Sequence, residues 1–216
     1  MKKILSVVVA LFMLAGAFSE SGLYAKLNAG WSDGYVTIDK NGFNHSVGYS
    51  GFEIFPAIGF APEATSVPDK PFDFTFEASL GMILGNGSDY DGVEAKVINP
   101  AFTCFFNWHF EGFDSEFLQH FVPYAGAGMS TPIQFVKVDV RHSYGWWYDS
   151  DGVWRYHEGE TSTYDDTTIG IDLTFVLGAR YAFTEKIEAN AETGWNSSVR
   201  NGLGGWFTRG GIFYRF

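Results

Sequence analysis

Gly205-Trp-Phe-Thr-Arg-Gly-Gly-Ile-Phe-Tyr-Arg-Phe216 alternates without a break. Trp206, Thr208, Gly210, Ile212, Tyr214 and Phe216 share one face, and Phe207, Arg209, Gly211, Phe213 and Arg215 share the other. Side chains that change face at every residue make a β-strand. Here the uncharged side is rich in aromatics and the two arginines lie opposite.

Working back from that stretch, the same pattern returns at Leu23–Trp31, Phe52–Phe60, Phe72–Met82, Ile171–Tyr181 and Ile187–Trp195. Asn99–Phe110 and His120–Met129 alternate less cleanly. The total is eight strands of about ten residues, the length that crosses a bilayer when tilted. In the clean strands one face has no charge. The other carries Lys26, Glu53, Asp73, Glu77, Asp172, Arg180, Glu188, Glu192, Arg209 and Arg215. A soluble barrel with its apolar face inward shows the same alternation, so periodicity alone leaves both readings open.

Three features decide for a membrane barrel. Aromatics collect at strand ends, with Trp31, Phe52, Trp195 and Trp206 at one rim. Phe60, Phe72, Trp108, Tyr181, Tyr214 and Phe216 fall at the other, which makes two aromatic girdles. Connections alternate between long (32–50, 83–97, 130–169, 196–205) and short (61–71, 111–119, 184–186). The final strand ends on Phe216. Long loops outside the cell and short turns in the periplasm is the bacterial arrangement.

The chain begins with a signal-peptide pattern: Lys2 and Lys3, an apolar run from Ile4 to Leu14, then Ala15-Gly16-Ala17. Residues 1–17 are the expected signal peptide and residues 18–216 a single barrel domain, with no further domain expected after the last strand. Formal charge is −11, which disfavours nucleic acid as a partner. The one cysteine, Cys104, allows neither an intrachain disulfide nor a Cys cluster for zinc. Aromatics make up 19% of the chain and there are 26 glycines, which suits short strands in an all-β fold.

The terminal segment resembles the C-terminal strand of bacterial outer-membrane proteins, with Phe216, Tyr214 and Ile212 at alternate positions. Val122-Pro-Tyr-Ala-Gly-Ala-Gly128 and Gly178-Ala-Arg-Tyr-Ala-Phe-Thr-Glu-Lys-Ile-Glu-Ala-Asn-Ala-Glu-Thr-Gly194 are similar to the small OmpA-like and OmpW-like barrels. That resemblance implies an all-β, eight-stranded antiparallel transmembrane β-barrel in the bacterial outer membrane. It also implies that the outer-membrane assembly machinery recognises Phe216, Tyr214 and Ile212, and that outer-membrane lipids surround the wall.

Eight strands enclose a space only wide enough for side chains. Charges there must be paired, because an isolated buried charge is expensive. Arg180, Glu188, Glu192, Arg209, Glu77, Glu53 and Lys26 are the expected interior polar network. If Thr184–Lys186 is a three-residue turn, Arg180 opposes Asn190 and lies diagonal to Glu188 and Glu192, so it bridges one or both.

The loop 130–169 holds a second candidate surface: Tyr144, Trp146, Trp147, Tyr148, Trp154 and Tyr156, interspersed with acids. Phe135, Lys137 and Asp139 alternate with Val136, Val138 and Val140, so strand five continues beyond the membrane. The first loop reads as a similar hairpin about Asp39-Lys-Asn-Gly42. Asp149-Ser-Asp-Gly152 is a turn, without the downstream glutamate of a calcium-binding EF-hand. No spacing joins a base, a nucleophile and an orienting acid. The expectation is a non-enzymatic surface protein without metal or cofactor, whose loops meet host or environmental ligands. The alternative is a narrow channel or conduit for small hydrophobic molecules or ions.

Overall fold

The computed structural model describes residues 22–40, 43–61, 71–87, 93–110, 114–141, 145–148, 150–157 and 161–216. The expected signal peptide and Tyr144 lie outside them. Strands β1 (Leu23–Lys40), β2 (Phe43–Phe60), β3 (Phe72–Gly87) and β4 (Val93–Trp108) run as two long hairpins. A short helix α1 (Glu116–His120) leads into β5 (Phe121–Ser130), β6 (Ile133–Arg141), β7 (Gly145–Tyr148) and β8 (Trp154–His157). The chain returns through β9 (Thr161–Ile169), β10 (Ile171–Ala182), β11 (Ile187–Arg200) and β12 (Gly205–Arg215).

Every pairing is antiparallel. The ladder runs β1-β2-β3-β4-β5-β10-β11-β12 and returns to β1, where Tyr24 opposes Arg215 and Gly34 opposes Gly205. The eight-stranded barrel is therefore closed and has no free edge within its wall. One end carries the long hairpins and is here called the hairpin end. The other carries the short connections and is called the turn end.

Period two sets what each side chain meets. Leu27, Phe52, Phe76, Phe102, Leu173, Phe175 and Leu177 stand outward and exposed, whereas Lys26, Glu53, Glu77, Arg180, Glu188, Glu192 and Arg209 are buried inward. The outward set is uncharged and the inward set charged, the arrangement of a barrel solvated by lipid. The hairpin-end girdle is in place, with Trp31 opposite Phe52 and Trp195 opposite Trp206.

The strands run further than the alternation indicated. Residues 83–87 and 93–97, expected as loop, are strand, and β11 extends to Arg200. β6 continues β5 after a Thr131-Pro132 step; it pairs with β4 from Ile98–Ile133 to Val93–Val138 and with β9 along its whole length. Pro132 has no N–H to add to a ladder, and its carbonyl instead accepts the Gly170 N–H at 2.8 Å. β7 and β8 form a separate hairpin, with Trp146 opposite Tyr156 and Tyr148 opposite Trp154.

Beyond the girdle, β1, β2, β3, β4, β6 and β9 thus curl around a second interior. It is apolar: Val36, Val47, Tyr49, Ile83, Ala95, Val97, Val136, Val138 and Leu203 form one buried cluster. Here most outward residues are polar, among them Asp33, Glu94, Lys96 and Lys137, with Tyr35, Leu84 and Phe135 as exposed exceptions.

Candidate functional site

The interior polar network centres on Glu192. In the β11–β12 register Glu192 faces Arg209 directly, and Arg209 Nε donates to Glu192 Oε1. Arg209 Nη1 reaches Glu53 Oε1 at 3.2 Å. The other carboxylate oxygen, Glu192 Oε2, accepts from Tyr124 O–H at 2.7 Å and from Lys26 Nζ at 3.4 Å. Asn28 Nδ2 donates to Oε1 at 3.0 Å. Lys26 Nζ lies closer still to Glu77 Oε2, at 2.7 Å. Lys26, Arg209, Glu53, Glu77 and Glu192 are each almost wholly buried, so three carboxylates share two cations away from bulk solvent.

Aromatic faces supply further stabilisation. The Arg209 guanidinium carbon lies 3.4 Å from the Phe55 ring centre and 4.2 Å from that of Phe207. A planar cation in contact with two rings keeps its fork free for carboxylates, which a lysine cannot reproduce. Lys26 Nζ sits 5.1 Å from the Phe105 centre.

A second cluster lies nearer the turn end. Arg180 faces Asn190 across β10–β11, and its Nε is 3.1 Å from Glu188 Oε2, an ion pair without hydrogen-bond alignment. Arg215 Nε donates to Glu188 Oε1 at 2.6 Å. Glu192, the other carboxylate diagonal to Arg180, belongs to the central cluster instead. At the mouth, Asp73 accepts from Asn107 Nδ2 at 2.5 Å and pairs with His109 Nε2 at 2.8 Å. Between the clusters is a cavity of about 10 Å³ bordered by Lys26, Glu77, Asn107 and Arg180.

Above the central cluster the lumen is closed by chain. The connection after β11 bends inward through Asn201 (φ 47°) and Gly204 (φ 42°), a left-handed backbone that suits asparagine and glycine. This bend drives Leu203 into the apolar cluster. Its carbonyl accepts from Tyr35 N–H at 2.9 Å, and its N–H donates to Asp172 Oδ2 at 3.0 Å. Gly202 lies so close to Asp172 that a Cβ would fall 1.4 Å from Oδ1. Gln134 Nε2 fastens the same connection through Asn201 O at 2.6 Å. Tyr49, in this layer, is bonded to Ser32 at 3.2 Å, and burial pushes its phenol well above the ordinary value, so it stays neutral.

The remaining candidates lie outside the lumen. Ile212, Tyr214 and Phe216 occupy the lipid-facing side of the final segment, with the Tyr214 and Phe216 rings edge to face at 5.2 Å. Trp146, Trp147 and Tyr148 lie on β7, and Trp154 and Tyr156 on β8; of these side chains only that of Trp154 is described, and it is exposed. The sequence reading missed a groove of about 510 Å³ on the outer face of the hairpin-end extension. It is lined by Glu94, Lys96, Phe135, Lys137, Asp165 and Asp166, among others. The alternation of Phe135, Lys137 and Asp139 was its available signal, since it put those side chains on one face.

No protein-family model matches the chain, and no curated protein matches it. Among solved structures, Neisserial surface protein A (NspA) matches with a TM-score of 0.52 at 15% identity, over 91% of this chain and 98% of that one. The outer membrane protein OprG from Pseudomonas aeruginosa matches with a TM-score of 0.48 at 13% identity, over 91% and 96%. The N-terminal β-barrel domain of Pseudomonas aeruginosa OprF matches with a TM-score of 0.46 at 15% identity, over 91% and 98%. At such identities the likeness is one of fold: the chain has the eight-stranded fold of small outer-membrane β-barrels.

Proposed function

We propose that this barrel is a non-enzymatic surface protein of the bacterial outer membrane. In this reading residues 1–17 direct export, the hairpin end faces the cell exterior, and Phe216, Tyr214 and Ile212 are presented to the assembly machinery. The observation that carries it is the double closure of the lumen. The Glu192 cluster fills the centre, and Leu203 with the apolar cluster seals the space above, so the wall serves as a rigid stand for the extension outside.

Two exterior features are then available to host or environmental ligands. One is the groove, whose exposed Phe135 is flanked by lysines and acids, a mixture that suits a polar ligand with one apolar face. The other is the β7–β8 hairpin with its aromatics. Binding to host-matrix proteins and glycans, compared among wild type, a 144–156 deletion and Phe135→Ala/Lys137→Ala, separates them. Loss in either variant assigns the surface, and undiminished binding in both overturns ligand capture at these two places.

The conduit for small hydrophobic molecules or ions has one observation in its favour. Glu77 and Asn107 line the 10 Å³ cavity, and their Oε1 and Oδ1 atoms are buried with no hydrogen-bond partner among the described residues. Such groups are the kind a permeating water or ion would satisfy. Planar-bilayer recording of the full chain decides: silence is expected, and stepwise conductance overturns the sealed reading in favour of the conduit.

A further inference from the structure

The connection between β4 and β5 bears α1, a helix with no buried residue. Its Phe117 is nonetheless held in place. The ring stacks on Phe121 at 5.5 Å and on Tyr181 at 5.4 Å. Phe121 and Tyr181 are register partners across β5 and β10, on the outward side of both strands. Phe110 stacks on Phe121 at 6.4 Å, and Phe183 meets Tyr181 edge to face at 5.3 Å. The helix therefore leans against the outside of the wall at the turn end rather than beneath the lumen. Phe117 is 57% exposed and Phe183 65%.

This patch continues a lipid-facing column. Two, four and six residues back from Tyr181 on the same face of β10 are Ala179, Leu177 and Phe175, and the last two are exposed. In water such a patch would be a liability. Aromatic rings at the border of hydrocarbon and headgroups are in their favoured place. The nearby charges are mainly acidic, Asp114, Glu116 and Glu185 against Lys186, so the attraction to a phospholipid surface is apolar rather than electrostatic.

We propose that α1 is a membrane-interfacial foot: Phe117, Phe121, Tyr181 and Phe183 seat it in the headgroup layer of the leaflet at the turn end. Its partner is the phospholipid surface, and the barrel's membrane contact widens beyond the strands on the β5–β10 side.

The full chain, refolded into phosphatidylcholine vesicles in a Cys104→Ser background, tests this. Nitroxide labels go at Phe117→Cys, at Leu177→Cys as the lipid reference and at Glu185→Cys as the aqueous reference. Collision rates with oxygen and with a water-soluble nickel chelate are compared. The ratio of oxygen to nickel collisions at 117 is expected to shift from the value at 185 toward that at 177. A ratio equal to that at 185, or protection from both reagents, overturns the foot. A label at Phe183→Cys gives an independent reading should Phe117→Cys fail to fold. The label at 177 reports separately on the transmembrane wall.

Discussion

The membrane-spanning wall and the hairpin-end extension share strands and register, yet they are built inside out with respect to each other. Within the wall β1 points Lys26 and Asn28 inward, with Leu27 and Trp31 outward; past the girdle the same strand points Val36 inward and Asp33 outward. β4 makes the change in reverse, from Val97 inward and Lys96 outward to Asn107 inward and Trp108 outward. Backbone hydrogen bonding does not change between the two. What changes is the solvent on the outer side, and apolar surface goes to lipid in one half and to its own core in the other. The sign of the alternation, not its presence, reports what surrounds a strand.

That contrast implies different vulnerabilities. Polar interiors fail when one partner is removed, because the rest are stranded. Arg209→Ala leaves Glu53 without its cation and Glu192 with Lys26 alone, and is expected to cost about 3–5 kcal/mol. Urea unfolding in vesicles, followed by gel mobility, measures it; a cost below that of Leu203→Ala would break the comparison.

Apolar interiors fail by losing contact. Leu203→Ala is expected to cost about 3 kcal/mol by the same assay while leaving bilayer recordings silent, since the Glu192 cluster below is untouched. Conductance in this variant would show that Leu203, not the ion pairs, closes the lumen. The smallest effect falls on the single polar side-chain atom within the apolar cluster. Tyr49→Phe removes the bond to Ser32 and is expected to cost about 0.5–1.5 kcal/mol. A larger loss would mean that the extension depends on hydrogen bonding more than its composition indicates.

The wall was legible in the sequence because uncharged outward faces such as Phe72–Met82 stand out over ten residues. The extension was only partly legible. Phe135 to Val140 and the first hairpin betrayed themselves, but 83–87 and 93–97 did not. A reader following apolar-outward strands loses the thread where Ile83, Ala95 and Val97 turn inward and Glu94 and Lys96 turn outward. In the lumen, counting diagonals from the 184–186 turn placed Arg180 between Glu188 and Glu192. It did not foresee that Glu192 would be engaged by Arg209, its directly opposed neighbour, and by Lys26, which reaches it across the lumen from a non-adjacent strand. The Lys26 contact depends on barrel closure, which local spacing does not encode, and the Arg209 contact on a β11–β12 register that the longer 196–205 connection does not fix. The inward fold of Leu203 was hidden for the same reason, since its partners Tyr35 and Asp172 come from distant strands.

The reversal at the Trp31, Phe52, Trp195 and Trp206 belt also acts as a depth gauge. Were the cylinder to sink by one pair of residues, Asp33 would be carried toward hydrocarbon. Were it to rise, Leu27 and Phe102 would be lifted toward water. Both displacements are opposed, the first more steeply the nearer a charge comes to the midplane. The molecule is left free to drift and spin in the plane of the sheet of lipid, but not to bob.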